Sequence, residues 1–285
     1  MSTVPYPPQR QLSVGEVLDL TFRIYRLTFV KCLAFATCGV FAGQLAGIYA
    51  LIRGRNLAQG GADPAAMLAL MQDQTVVALY FIGIVLTAMF YAAMLLRQRA
   101  IIADGTVGGE LTAALRRTPP LIGLGLLVGP ALSACFLVAL ATLGTLPRLL
   151  IIAALVVLGV VVSYGVVAIS CAPTILLVED AGPAASLARS WRLTTGSFWR
   201  LSVIYTVALI ILIAIYLVIA AVAGFLAGVL AHGDLAMVTA FAEVIGIVLG
   251  ALATPFYGAL ALAVLADLKV RKEGADLAQR ISATA

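Results

Sequence analysis

Charge is scarce in this 285-residue chain: 11% of its residues are Asp, Glu, Lys or Arg, against about a quarter in a soluble domain. With 63% hydrophobic residues and a mean hydropathy of +1.11, it has too little polar side chain to coat a water-facing surface. A soluble domain is excluded, and so is disorder, which needs the opposite composition. Histidine is almost missing. His232 alone cannot build a His-rich metal site, and no G-x-S-x-G stands ready to pair with it. Neither H-E-x-x-H nor a G-x-x-x-x-G-K-[ST] phosphate loop occurs. The four cysteines (Cys32, Cys38, Cys135, Cys171) show no C-x-x-C spacing and fall in apolar runs, where they read as small hydrophobes. Alternation at period two is absent, which excludes a membrane β-barrel.

Apolar runs dominate what remains. A helix crossing the hydrocarbon core needs about 20 apolar residues, and six runs reach that length. They span about 32–52, 75–96, 121–143, 149–177, 201–230 and 238–265. The fold class is therefore all-α: a polytopic bundle of six transmembrane helices, with amphipathic interfacial helices on the cytoplasmic side. Residues 1–12, with Pro5, Pro7 and Pro8, read as a disordered cytoplasmic tail rather than a signal peptide. Residues 13–266 read as the membrane domain, and 267–285 as a cytoplasmic C-terminal tail.

Cations fix the expected orientation. Four precede the first span (Arg10, Arg23, Arg26, Lys31), and four lie between the second and third (Arg97, Arg99, Arg116, Arg117). Three lie between the fourth and fifth (Arg189, Arg192, Arg200), and four follow the sixth (Lys269, Arg271, Lys272, Arg280). The other three connections hold only Arg53, Arg55 and Arg148, a split of 15 against 3. The positive-inside bias then places both termini in the cytoplasm. The net charge of +5 belongs to a face that meets anionic lipid headgroups, so nucleic acid is not an expected partner.

An interfacial helix is expected over 13–30. Ser13 and Glu16 have capping-box spacing. Glu16, Asp19, Arg23 and Arg26 then fall within an arc of about 80°, with Val14, Val17, Leu18, Thr21, Ile24, Tyr25 and Thr28 away from it. A cytoplasmic extension of the first span would give the same pattern. R-I-Y-R-L-T at 23–28 is echoed by R-S-W-R-L-T at 189–194, and more weakly by the stretch from Gly109-Glu110 to Arg116-Arg117. The echo is either a repeated unit or the ordinary gathering of cations at cytoplasmic helix ends.

Three stretches carry a resemblance. S-V-G-E-V-L-D-L-T-F-R-I-Y-R (13–26) resembles the opening of the membrane domain associated with bacterial glycerophosphoryl diester phosphodiesterases. A-P-T-I-L-L-V-E-D-A-G-P-A-A-S-L-A-R-S-W-R-L-T-T-G-S-F-W-R-L (172–201) resembles its most distinctive stretch, and D-L-K-V-R-K-E-G-A-D-L (267–277) its ending. The central stretch is also similar to YciC-like inner-membrane proteins. The resemblance implies a six-helix bacterial inner-membrane fold. It does not bring the phosphodiesterase activity, which belongs to a separate barrel of roughly 250 residues with no counterpart here.

No catalytic, cofactor or metal residues are expected, and no enzyme. The expected lipid-contact residues are Arg23, Arg26, Arg189, Trp191, Arg192, Trp199, Lys269, Arg271 and Lys272, cations and aromatics placed at a membrane face. Glu243, near the outer end of the sixth span, is the one intramembrane ionisable group. It reads as a hydrogen-bonded or snorkelling carboxyl sooner than as a proton or cation site. The expected function is that of a non-enzymatic inner-membrane protein acting through lipid or a membrane protein partner. The rival is a small transporter or lipid-handling protein with a site among the helices bearing Pro130, Pro173 and Pro255.

Overall fold

Nothing between Leu27 and Lys31 interrupts a helix, since neither proline nor glycine falls there. In the computed structural model the helix accordingly runs unbroken as α1 (Val14–Gly43), so the helix expected over 13–30 and the start of the first span are one element. The structure describes residues 6–8, 10–52, 72–103, 107–143, 147–231 and 235–274. A turn at Gln44, whose N–H bonds Phe41 O at 3.0 Å, leads into α2 (Leu45–Ile52). There follow α3 (Gln74–Ile102), α4 (Glu110–Leu143), α5 (Arg148–Ile169), α6 (Ala172–Glu179), α7 (Pro183–Thr194), α8 (Phe198–Ala231) and α9 (Leu235–Glu273). No strand occurs among the described residues.

Six helical stretches are long and apolar enough to cross a membrane, with α5 and α6 together forming the fourth. The first, Val14–Gly43, stops short of the end of the run expected over 32–52, which the turn at Gln44 divides. The other five reach past at least one end of their expected runs. α4 starts at Glu110 and continues through Pro119 and Pro120 into the third span. The three R-x-x-R-like segments sit in different settings: inside α1, at the start of α4, and on the separate short helix α7.

The contacts divide the chain into two units, one of residues 22–118 and 207–259, the other of 1–21, 119–206 and 260–285. In the first, small residues bring α1 and α3 together. A Cβ on Gly83 would lie 2.6 Å from Ala42 O, so only glycine permits that approach. Buried Gln98 of α3 donates to Thr28 Oγ1 (3.3 Å) and Pro255 O (2.8 Å), which ties α1, α3 and α9 by one side chain. Gly258 makes room for it, because a Cβ there would fall on Gln98 Oε1. The second unit buries Ile175, Leu176 and Leu177 of α6, Leu201 and Ile204 of α8, and Leu260, Leu265 and Leu268 of α9.

Outward faces are apolar as well. Val156, Val157, Val160 and Val161 of α5 and Ile210, Leu217, Val218 and Phe225 of α8 are all exposed. Soluble monomers do not leave contiguous apolar surface of that extent in water. Hydrocarbon is the solvent these faces fit, and the chain is a multi-pass integral membrane protein. Gly224 and Gly228, spaced for close helix approach, have no atom of the described residues within 4 Å of where a Cβ would stand.

Candidate functional site

The second unit gathers the charged groups around a helical hairpin. α5 stops at Ile169, and Pro173, which has no N–H, stands in the first turn of α6, where that loss is tolerated. The break leaves Ala168 O to side chains: Ser190 Oγ donates to it at 2.8 Å and Thr194 Oγ1 at 3.2 Å. Tyr205 Oη donates to Ser170 Oγ at 2.9 Å across the same break. Asp180, in the left-handed region (φ 57°), ends α6, and Gly182 and Pro183 start α7. α7 therefore turns a small polar face, Ser186, Ser190 and Thr194, against α5 and α6.

Two ion clusters hold this hairpin and the segment before α1 to the end of α9. Glu179, last residue of α6, pairs with Arg189 of α7 and Lys269 of α9. Arg189 also grips Glu273, with Nη2 at 2.8 and 2.9 Å from its two oxygens. Asp267, 1% exposed, accepts from Arg200 Nη1 (2.6 Å), Arg271 Nε (3.0 Å) and the Leu12 N–H (2.9 Å). Arg200 Nη2 and Arg271 Nη2 both donate to Leu12 O, the former at 2.7 Å. Arg271 Nη1 also reaches Gln11 Oε1 at 3.2 Å. Just beyond, the capping box forms: Glu16 Oε2 accepts from the Ser13 N–H (2.7 Å), and the Glu16 N–H donates to Ser13 Oγ (3.3 Å).

A carboxylate this buried is tolerated only when paired and hydrogen-bonded, and Asp267 is both. The clusters join Arg189, Arg200, Lys269 and Arg271 with Glu179, Asp267 and Glu273, nearly balanced in charge. Cations satisfied in this way have little left for an anionic ligand. The arrangement ties α6, α7, α8 and the segment before α1 to the end of α9.

Of the residues singled out on the sequence, Arg189, Lys269 and Arg271 enter these clusters. Trp191, Arg192, Trp199 and Lys272 are exposed, Trp199 to 81%. Trp191 packs edge-on to Tyr164 (5.8 Å), and Tyr164 and Phe198 continue the stack to Trp199. Arg23 and Arg26 are exposed on α1, opposite the buried stripe of Val17, Thr21, Ile24 and Thr28, and form no ion pair with the described residues. Glu243 is half-buried, with no hydrogen bond or ion pair to the described residues. His232, Arg53, Arg55 and Arg280 lie outside the described residues. Cys32 and Cys171 are buried and all four cysteines are unbridged. No group of three metal-ligating side chains occurs among the described residues.

Sequence reasoning assigned no role to Glu179, Asp267, Glu273 or the Leu12 backbone, and treated Arg200 only as a topology charge. The i,i+4 spacing of Asp267 and Arg271 was the one local signal. The stretches 13–26, 172–201 and 267–277, or the residue next to them, supply most of the partners. No family model matches the chain, and comparison with curated proteins and with solved structures likewise found no match.

Proposed function

We propose that this chain is a non-enzymatic protein of a bacterial inner membrane, both termini cytoplasmic, that acts through lipid or a membrane protein partner. It would be related to the membrane domain associated with glycerophosphoryl diester phosphodiesterases and to YciC-like proteins, without phosphodiesterase activity. The observation that carries this reading is the internal pairing of the charged clusters. Their carboxylates and guanidiniums hold chain segments in place, so no free nucleophile–base pair stands among them. The 15 to 3 cation split supports the orientation. The exposed aromatic and cationic groups, Trp191, Arg192 and Trp199, suit a headgroup layer. Arg189, turned onto Glu179 and Glu273, would act by positioning α7 instead of by touching lipid.

Affinity purification in a mild detergent tests the reading. A stoichiometric membrane protein partner, or a retained phospholipid, supports it. A partner-free monomer that moves a small solute across vesicles would replace it with a transporter. Lipid handling has one specific observation in its favour, a groove lined on both sides of Pro255.

A further inference from the structure

Within the unit of residues 22–118 and 207–259, α1, α8 and α9 enclose a cavity of about 390 Å³. That volume lies within the range of small-molecule sites. Its walls are almost wholly apolar. Gly246, Gly250 and Ala253 of α9 form a floor with little side chain, and Leu212 and Tyr216 of α8 stand along one wall. Gly246 to Tyr257 is a rise of about 16 Å, close to half of a hydrocarbon core about 30 Å thick. The groove is therefore about one leaflet deep.

One end is built of aromatics. Phe22 and Phe256 lie 5.3 Å apart, Tyr25 packs edge-on to Phe256 at 5.8 Å, and Tyr25 Oη donates to Leu252 O at 3.2 Å. Arg26 follows Tyr25 directly and lies one helical turn from Phe22, so the two share a face of α1. It is exposed, with no ion pair to the described residues. An apolar slot of leaflet depth, with an exposed and unpaired guanidinium one helical turn from the lining residue Phe22, matches an amphiphile with a long chain and an anionic head.

We propose that this groove holds one acyl chain of an anionic phospholipid, with its phosphate at Arg26. The inference deepens the lipid reading above and rests on the chain being membrane-embedded. Selection comes from two parts. The small residues Gly246 and Ala253 admit the chain, and Arg26 favours an anionic head over a zwitterionic one.

Native mass spectrometry of the detergent-purified full chain, with phosphatidylglycerol or phosphatidylcholine added, tests the proposal. The wild type should retain one phosphatidylglycerol, about fivefold more readily than phosphatidylcholine, as expected for one cation near a phosphate. A Cβ on Gly246 meets nothing within 4 Å, so Gly246→Phe can fill the groove without clashing at its root. It should lower retention at least tenfold. Gly159→Phe, equally open but on α5 outside the groove, should bind as the wild type does. Arg26→Gln, a surface change, should keep the chain site and erase the headgroup preference. Equal binding of the two lipids by the wild type, or an unchanged Gly246→Phe, would overturn the proposal. A wild type that holds no lipid yet still captures a protein partner would remove the groove assignment and leave the broader reading in place.

Discussion

Asp267 carries more of the fold than its single charge suggests, because two segments distant in sequence, at Leu12 and Arg200, converge with Arg271 of its own helix on its two oxygens. Replacing it with Asn keeps the volume but leaves Arg200 and Arg271 without their counter-charge. Charge-assisted hydrogen bonds contribute about 1.5–3 kcal/mol each, so Asp267→Asn should lower stability by an amount of that order. Thermal unfolding in detergent would show it. Trypsin should also cut faster after Arg10, since the Leu12 backbone loses its anchor. An unchanged melting temperature together with unchanged cleavage would contradict the role. Glu243 is the opposite case, a half-buried carboxyl with no partner among the described residues. Glu243→Leu strands no donor there, so its effect should stay within about 0.5 kcal/mol, as for Glu243→Gln. A loss above about 1 kcal/mol in the Leu variant would reveal a partner.

The hairpin of α6 and α7 depends on one carbonyl with two hydroxyl donors. Ser190→Ala or Thr194→Val alone leaves the other donor on Ala168 O, and each should cost under about 1 kcal/mol. The double variant leaves that carbonyl without either hydroxyl and should cost about 1–3 kcal/mol, more than the two singles combined. A double-mutant cycle on thermal stability reads the difference; strict additivity would mean the hydroxyls act independently. The six apolar stretches were legible in the sequence because a membrane span must be a long uninterrupted apolar run. Their ends were less so. Polar residues such as Arg26, Arg99 and Arg271 continue a helix as readily as they end one, and α1, α3, α4 and α9 all run past the expected span limits. Pro173 was legible as an irregularity and R-S-W-R-L-T at 189–194 as an amphipathic element, but the bonds of Ser190 and Thr194 to Ala168 O were not, because they join residues 22 and 26 positions apart. The clusters were illegible for a different reason: Leu12 and Asp267 are 255 residues apart. Cations near membrane ends look the same in sequence whether they meet a carboxylate or a phosphate.

For the molecule as a whole, apolar exposure and cation placement bear on different questions. Exposed valines, leucines and isoleucines along α5 and α8 make the protein an integral membrane one, while the direction in which it crosses rests on the uneven distribution of Lys and Arg. Six crossings with cations on alternate connections require both termini on one side, with the connection around Gly60 on the other. A paired reporter experiment tests this central claim most directly: an enzyme active only in the periplasm is joined after Ala285 in one fusion and after Gly60 in another. The account predicts no signal from the Ala285 fusion and strong signal from the Gly60 fusion. A bright Ala285 fusion, or a silent Gly60 fusion of equal abundance, would contradict it.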